Sequence, residues 1–325
     1  MKGGQILVRT VSVWGLPLLL IALIGVFSLL RPDTFPTAFT FTSLTNNRSI
    51  YALAALAVMI PMTANHFDLS VAGMIGLSQI LAIGLQTREG LPWWAVCAIV
   101  LVIGVVVGIV NGVLVARVRI HSFIATLGTG SVLLGLLQWY TGGRQVIGTL
   151  DPAFTAIAGR VAGGPVPYAL VYVFVVATLL WVVFEYTRTG RFLYVIGENP
   201  RAAELNGIRT VKYVTLAFVG SGLVAAFAGL VLQAQLRVGQ STVGQEFLLP
   251  AFAGALLGAT AICPGRTNVW GTVVAVALLA VVVAGLNQLG APFFVEPLFN
   301  GLMLIIAVGL SVTAARRRER QVTER

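Results

Sequence analysis

Asp68 and Ser70 come nearest to a chemical site in this sequence. They lie in the stretch "NHFDLSVAG", between two apolar runs. An ionisable side chain within a membrane or at its edge is energetically costly and often functional. Asp and Ser are also common N-caps, which accept hydrogen bonds from the first amides of a helix. The sequence favours the cap, and a half-helix that points its amides into a pathway satisfies both interpretations.

Other polar side chains lie inside long apolar runs, namely Gln79, Asn111, Gln138, Asn287 and Asn300. Neutral amides of this kind bind hydroxylated solutes, but in membrane helices they more often bond to a neighbouring helix. We expect each one, taken alone, to join helices. We also expect some members of this set, together with Asp68 and Ser70, to line a translocation path.

Catalysis, metal binding and nucleic-acid binding find little support in the sequence. Two histidines and two cysteines are too few for a His/Cys metal cluster. The motifs of serine hydrolases, zinc proteases and phosphate-binding loops are missing. The net charge of +10 is scattered over short loops and does not form one basic face. We therefore predict that the chain is not an enzyme and has no catalytic residues. We also predict that it binds no cofactor, metal or nucleic acid.

The segment "GENPRAAELNGIRTVK" at 197–212 is polar and well punctuated. Asn199 is a good N-cap, Pro200 suits the first helical position, and Gly207 can take the left-handed conformation that ends a helix. These residues predict a helix over 200–206. Because so short a helix is unstable alone in water, we expect it to dock on another surface.

The elements that hold these residues are predicted to be membrane helices. The chain of 325 residues is 58% hydrophobic and 10% charged, with a mean hydropathy of +0.93. Several apolar runs can cross a hydrocarbon core of about 30 Å. We predict an all-α integral membrane protein with about ten transmembrane helices, in one transmembrane domain over 1–325. The predicted spans are 13–30, 49–64, 70–86, 93–116, 122–141, 167–187, 212–236, 247–262, 268–287 and 294–314.

The distribution of basic residues predicts the orientation. With the N-terminus inside, most of the 21 Lys and Arg residues fall on the cytoplasmic side, as the positive-inside rule expects. Both termini and the polar loop 188–211 are then cytoplasmic. Some spans are expected to be broken, and interruptions around "NHFDLSV" and "VGQEFLLPAFAG" occupy corresponding places in the two halves. Matched interruptions are a hint of a transporter repeat.

Several motifs, taken in order, resemble one family. They are "FDLSVAG", "NGVLVARVRIHSFIATLGT", "YTGGRQV", "GENPRAAELNGIRTVK", "LLGATAICPGRTNVWGT" and "GLNQLG", which run from about 65 to 309. The chain resembles the permease subunit of bacterial ABC importers for monosaccharides and related compounds, of the ribose, xylose, myo-inositol and autoinducer-2 type. It differs from the family at Asn65, His66 and Ala72, where glycines are common, and around Pro264. These differences concern the substrate more than the architecture.

The resemblance implies a function and a set of partners. The chain would be the permease of an importer in the bacterial cytoplasmic (inner) membrane. It would pair with a second permease copy or homologue, receive solute from an extracytoplasmic substrate-binding protein, and be driven by a separate ABC ATPase subunit. The lipid bilayer would surround it.

The same resemblance makes the polar loop an ATPase-coupling helix. Its residues would be Glu198, Asn199, Pro200, Arg201, Ala202, Ala203, Glu204, Leu205, Asn206 and Gly207. A small apolar stripe of Ala202, Ala203 and Leu205 suits docking into a groove.

Two other functions stay open. A branched-chain amino-acid-type ABC permease is the nearest alternative. A self-contained secondary transporter would need coupling carboxylates at mid-membrane, and Asp68 is the one candidate. The sequence does not identify the sugar.

Overall fold

The computed structural model describes the backbone of residues 2–306 and 308–309, and the side chains from residue 13 onward within that range. The regular secondary structure of the described residues is helical, and their β-pairing consists of two isolated bridges. The all-α prediction is therefore confirmed. The helices are α1 (Lys2–Leu30), α2 (Ala38–Met62), α3 (Ser70–Thr87), α4 (Trp93–Gly112), α5 (Ser122–Thr141), α6 (Pro152–Thr155), α7 (Tyr168–Tyr186), α8 (Arg188–Glu198), α9 (Pro200–Leu205), α10 (Thr210–Leu236), α11 (Leu248–Gly258), α12 (Val269–Gln288) and α13 (Val295–Ile306).

Seven helical segments in the described chain are long and apolar enough to cross a membrane. They contain, within a residue or two at each end, the predicted spans 13–30, 70–86, 93–116, 122–141, 167–187, 212–236 and 268–287. The predicted span at 93–116 continues past α4 through a π-helical turn, Val113–Arg117.

The other three predicted spans, 49–64, 247–262 and 294–314, are not among the seven. α2 is 25 residues long, but its first half carries Asn46, Asn47 and Arg48. α11 has 11 residues, about 16 Å at 1.5 Å per residue, which is half a bilayer core. The last part of 294–314 lies outside the described residues. The number ten stays a prediction, as does the position of both termini.

Helix ends follow local sequence chemistry. Thr37 accepts a hydrogen bond from the Thr40 amide at the start of α2, and Thr187 caps α8 by accepting from Gly190. Asn268 caps α12 by accepting from the Gly271 amide at 2.7 Å. At the other end of a helix, Gly142 takes φ 63° after α5. These short polar residues satisfy backbone groups that a helix leaves unpaired.

Glycines bring α4 and α10 into backbone contact. Gly104, Gly108 and Gly112 recur every fourth residue, so they share one face of α4. A Cβ at Gly108 would lie 2.5 Å from the Phe218 carbonyl oxygen, and one at Gly104 would lie 2.6 Å from the Gly222 carbonyl oxygen. Small residues at such spacing let membrane helices approach closely. This contact positions α10 against the centre of the bundle.

The centre of the bundle is formed by α2, α3 and α10. The apolar window of α3 is 78% buried and that of α10 is 67% buried, whereas the α1 window is 6% buried. The segments of α4, α5 and α7 lie between these values, at 33%, 33% and 22%. The outer helices therefore present apolar surface that a bilayer or another subunit must cover.

Candidate functional site

The predicted helix near residue 200 is α9, and its ends are built as the sequence predicts. The Asn199 side chain accepts a hydrogen bond from the Ala202 amide at 3.0 Å, and Pro200 occupies the first helical position. Gly207 follows the helix with φ 78°, a conformation that glycine takes without strain. The Glu204 carboxylate also accepts from the Thr210 hydroxyl at 2.9 Å. α9 is thus fastened at both ends.

The sequence predicted that Ala202, Ala203 and Leu205 form an apolar stripe on α9 for docking into a groove, and Ala203 does not fit this prediction. Ala203 is fully buried against the protein itself, whereas Leu205 is 82% exposed and Ala202 is intermediate. A six-residue helix makes fewer than two turns, so neighbouring residues point in different directions. The surface open to a partner is formed by the exposed residues Glu198, Asn199, Pro200, Arg201, Glu204, Leu205, Asn206 and Gly207.

α8 joins α9 to the body of the bundle. Its buried residues are Gly190, Leu193 and Ile196, which share one face. A Cβ added to Gly197 would lie 2.2 Å from the Thr63 carbonyl oxygen and 3.3 Å from the Ala64 Cα. The C-terminal end of α8 therefore contacts the interruption between α2 and α3 at backbone distance. We call residues 63–69 the 63–69 break and residues 188–205 the α8–α9 segment.

Asp68 lies in the 63–69 break and is 1% exposed. Its Oδ1 accepts hydrogen bonds from the Ser70 amide at 3.0 Å and from the Ser70 hydroxyl at 2.6 Å. The amide bond is the local contact that the cap interpretation predicts, although Leu69 occupies the N-cap position of α3. Asn111 of α4 in turn donates to the Ser70 hydroxyl at 2.8 Å. Three of the predicted site residues, Asp68, Ser70 and Asn111, therefore form one buried chain of hydrogen bonds.

Two hydroxyls of α5 bind the backbone of the same break. The Ser122 hydroxyl accepts from the Phe67 amide at 3.1 Å, and the Thr126 hydroxyl accepts from the Leu69 amide at 3.0 Å. Two buried oxygens nearby, Asn111 Oδ1 and Ser221 Oγ, find no hydrogen-bond partner among the described residues. The first residues of the break bond to the backbone of the last turn of α2, whereas the Phe67 and Leu69 amides are held by side chains of α5.

The 63–69 break contains two titratable side chains, His66 and Asp68. His66 is partly exposed, yet desolvation by burial lowers its pKa, and the neighbouring His121 lowers it further. The imidazole is therefore neutral at physiological pH. Its ring lies 6.2 Å from the ring of Phe218 on α10, which places the break beside the first turns of that helix.

Gln79 lies in the middle of α3, about 14 Å along the helix from Ser70. It is fully buried, and its amide donates to the Gln240 carbonyl oxygen at 2.9 Å. Its Oε1 accepts from the Gln240 amide at 3.3 Å. Gln79 thus binds both backbone groups of one residue in the chain between α10 and α11. We call that chain, residues 237–247, the 237–247 loop.

Known proteins identify the class to which this arrangement belongs. A family model described as the permease component of the branched-chain amino acid transport system matches residues 40–308. The chain belongs to this permease family. The resemblance predicted from the sequence motifs is confirmed, and the permease is a multi-pass protein of the bacterial inner membrane.

Individual relatives agree over most of their length. The permease is 32% identical to the ribose import permease protein RbsC of Haemophilus influenzae, over 89% of this chain and 90% of the relative. It is 33% identical to RbsC of Bacillus subtilis, over 89% of each chain. It is 30% identical to the autoinducer 2 import system permease protein LsrD of Klebsiella pneumoniae, over 89% of this chain and 88% of the relative. No solved structure matches the permease.

The remaining predicted path residues are not gathered with Asp68 in the permease. Gln138 and Asn287 are exposed near the ends of α5 and α12, and Asn300 is partly exposed on α13. Asn287 follows Gly285, whose Cα faces the ring of Phe27 on α1. The seven candidates therefore divide into a buried group of three, the buried Gln79, and three on the surface.

Sequence reasoning missed three buried hydroxyls at the break, of which those of Ser122 and Thr126 bind its backbone. Ser122, Thr126 and Ser221 are fully or almost fully buried, and none was singled out. Ser122 and Thr126 stand four residues apart at the start of α5, so they share a face, and this spacing was the available signal. Ser221 has no comparable neighbour in the sequence, and its place near Asp68 follows from the contact between helices alone.

Proposed function

We propose that the permease is the membrane subunit of a binding-protein-dependent ABC importer. It carries a monosaccharide or a related small polar solute across the cytoplasmic membrane, and a separate subunit hydrolyses ATP. The observation that carries this proposal is the α8–α9 segment, a capped helix with an exposed tip that is packed at backbone distance on the 63–69 break. Relatives named for ribose, autoinducer 2 and galactose import support the solute class.

The exposed surface of α9 suits an ATPase subunit. Leu205 presents an apolar side chain between the charged residues Arg201 and Glu204. A groove of about 770 Å³ lies beside it, lined by Glu204, Gly207 and the first turns of α10. A single apolar side chain within a polar rim is the arrangement of a protein–protein contact. We infer that this surface is cytoplasmic, so the 237–247 loop faces the extracytoplasmic binding protein.

A second permease copy or a homologue covers part of the surface of α5. Gly128 and Gly135 have open space around their Cα atoms, and Ser131 and Gln138 are exposed on the same helix. Polar and small side chains on an apolar helix are poorly matched to lipid and well matched to a neighbouring helix. Gln138, Asn287 and Asn300 would then meet solute at or near the subunit boundary.

The alternatives are less well supported. The family description names branched-chain amino acids, but the relatives described above are importers of ribose and autoinducer 2. A secondary carrier would use Asp68 to bind its coupling ion. Asp68 already accepts from the Ser70 amide and hydroxyl, which gives the carboxyl a structural role.

One experiment tests both the partner and the energy source. Leu205→Glu is compared with Ile147→Glu, because both side chains are exposed, at 82% and 76%, and Ile147 lies away from α9. We expect the first substitution to abolish co-purification of the ATPase and the second to leave it unchanged. In proteoliposomes with all subunits, uptake should require ATP and persist when the proton gradient is collapsed. Accumulation by the permease alone under an imposed ion gradient would favour the secondary carrier.

A further inference from the structure

The α8–α9 segment contacts a second part of the bundle, distinct from the 63–69 break. Tyr194 lies on α8, and its hydroxyl donates to the Thr267 carbonyl oxygen at 3.0 Å. The Arg266 guanidinium lies over the Tyr194 ring, 3.8 Å from the ring centroid. Arg266 also forms an ion pair with Glu185 at the end of α7. We call the Tyr194–Thr267 hydrogen bond and the stacking of Arg266 on Tyr194 together the Tyr194–Arg266 contact.

The loop that carries Arg266 and Thr267 connects α11 to α12 and is internally fastened. The Asn268 amide donates to the carbonyl oxygens of Gly258 and Ala261 at 3.0 Å each, and to that of Arg266 at 3.2 Å. Its Oδ1 accepts from the Gly271 amide. One buried side chain thus ties the end of α11 to the start of α12. A force applied at Arg266 is therefore passed to both helices instead of being absorbed by a flexible loop.

The two helices are in turn packed as a unit. A Cβ at Gly271 would lie 2.3 Å from the Gly258 carbonyl oxygen, and one at Gly254 would lie 2.5 Å from Val276 Cγ2. Close-packed helix pairs shift as bodies because their interfaces do not deform continuously. At its other end α11 is preceded by Phe247, whose ring lies 4.8 Å from that of Tyr51. α11 therefore links the Tyr194–Arg266 contact to the 237–247 loop.

The chemistry of the Tyr194–Arg266 contact suits an interaction that persists while the segment moves. A guanidinium stacked on an aromatic ring is attracted to the ring face, and Arg does this better than Lys because it is planar and weakly hydrated. Desolvation by burial raises the pKa of Tyr194, partly offset by Arg266. The phenol therefore keeps its proton at physiological pH and remains a donor to Thr267.

We propose that Tyr194 and Arg266 are positioning residues for transport, through which movement of the α8–α9 segment reaches α11 and α12. The inference rests on the proposed function, since it assigns a route for the movement that an ATPase imposes on α9. The 63–69 break is the support on which the segment rests, and the Tyr194–Arg266 contact is the connection to the helix pair that moves. Loss of the contact leaves ATPase binding intact and separates hydrolysis from uptake.

The test uses the complete importer in proteoliposomes and measures solute taken up per ATP hydrolysed. Tyr194→Ala and Arg266→Ala should lower this ratio roughly tenfold, within the 5–150-fold range typical of coupling between sites. The matched controls Tyr168→Ala and Arg117→Ala remove exposed side chains of the same types outside the α8–α9 segment and should leave the ratio unchanged. Tyr194→Phe keeps the stacked ring and loses the bond to Thr267, so a smaller decrease is expected. Arg266→Lys keeps the charge beside Glu185 and should also be intermediate.

A chemical link separates transmission from a merely structural role. Cysteines replace Tyr194 and Thr267 in a chain whose Cys97 and Cys263 are changed to alanine. A short bifunctional methanethiosulfonate reagent then joins the two positions, and a reductant removes it. Transmission predicts that the link restores uptake per ATP and that the reductant abolishes the recovery. If an alanine variant fails to assemble, the Tyr194→Phe and Arg266→Lys variants still allow uptake per ATP to be measured, because they keep most of the packing.

The outcomes distinguish this inference from the proposed function. An unchanged ratio in all Tyr194 and Arg266 variants, with ATPase binding still abolished by Leu205→Glu, would overturn the inference alone. A link that blocks uptake instead of restoring it would also overturn the inference, since it would mean that the contact opens during transport. Uptake that proceeds without any ATPase would overturn the proposed function itself.

Discussion

The 63–69 break separates α2 from α3, and the 237–247 loop separates α10 from α11. The two segments are held in different ways. The 63–69 break receives hydroxyls from α5 on the Phe67 and Leu69 amides, and its carboxyl, Asp68, is 1% exposed. The 237–247 loop is bound by the Gln79 side chain and by one isolated bridge to Val146. It also packs at backbone distance on α3, since a Cβ at Gly76 would lie 2.5 Å from the Val243 carbonyl oxygen.

The difference indicates which interruption is fixed and which can move. The local free energy of opening depends on how many buried contacts and protected hydrogen bonds a segment has. The 63–69 break is packed between helices and contacts the α8–α9 segment, so it is a support. The 237–247 loop has exposed residues, among them Glu246, and is the better candidate for rearrangement. Each prediction below changes one side of this comparison.

The largest effect is expected at the contact between the break and α8. Gly197→Val places side-chain atoms where the Thr63 carbonyl oxygen is 2.2 Å from an added Cβ. Because both partners are backbone, one element must move, and such overpacking costs about 1–3 kcal/mol or more. We expect loss of uptake and a lower midpoint of thermal unfolding. Gly25→Val is the control, since nothing lies within 4 Å of its added Cβ. An equal loss in both variants would mean that α8 does not press on the break.

The hydroxyls of α5 are expected to have the next largest effect. Thr126→Val keeps the shape and removes the acceptor of the Leu69 amide, which leaves a buried N–H unpaired at about 1–3 kcal/mol. Thr129→Val is the matched control, because its hydroxyl bonds within its own helix, to the Ala125 carbonyl oxygen. Unfolding in detergent should show a decrease for the first variant and little change for the second. Similar midpoints for the two would contradict a fixed break.

The sequence predicted the features that depend on neighbouring residues. Asn199, Pro200 and Gly207 specify α9 because capping acts within one turn. Asp68 binds the Ser70 amide for the same reason. The burial of Ala203 could not be predicted, since it depends on where the rest of the protein lies.

Long-range features were beyond the sequence. The Ser122 bond to the break crosses 55 residues and the Gln79 bond to the loop crosses 161, so neither leaves a local pattern. Hydropathy also overestimated the length of α11, because the apolar run at 247–262 forms a helix of only 11 residues. Whether the seven path candidates bind solute stays a prediction.

The 237–247 loop should respond more weakly. Gln79→Leu removes both bonds to Gln240, and we expect about 1 kcal/mol of local stability to be lost. That corresponds to about fivefold faster amide exchange in the loop, since 1.4 kcal/mol is tenfold. Gln138→Leu is the control, because Gln138 is exposed on α5. Hydrogen–deuterium exchange of the 237–247 peptides measures the effect. Unchanged exchange in Gln79→Leu would show that the other contacts of the loop hold it without Gln79.

The smallest expected effect is the pH response of Glu246 in the same loop. Desolvation by the surrounding protein raises its pKa, and the negative charge of Glu296 raises it further, although part of the side chain is exposed. A carboxyl with a raised pKa binds its proton more tightly in the folded state. Its contribution to stability is therefore complete below the unfolded-state pKa and is lost as the pH rises through the folded-state value.

Glu246→Gln imitates the protonated form and should flatten this pH dependence. Above the folded-state pKa the variant should unfold at a slightly higher temperature than the native chain, by no more than about 2 °C, because the group is only partly desolvated. Below the ordinary Glu pKa of 4.5, the unfolding midpoints of the variant and the native chain should coincide. The measurement is a series of thermal unfolding midpoints between those limits, with Glu89→Gln, an exposed carboxylate, as the control. A native chain that becomes more stable as the pH rises would reverse the sign and place Glu246 beside a cation, which would make the 237–247 loop a second fixed support instead of the movable one.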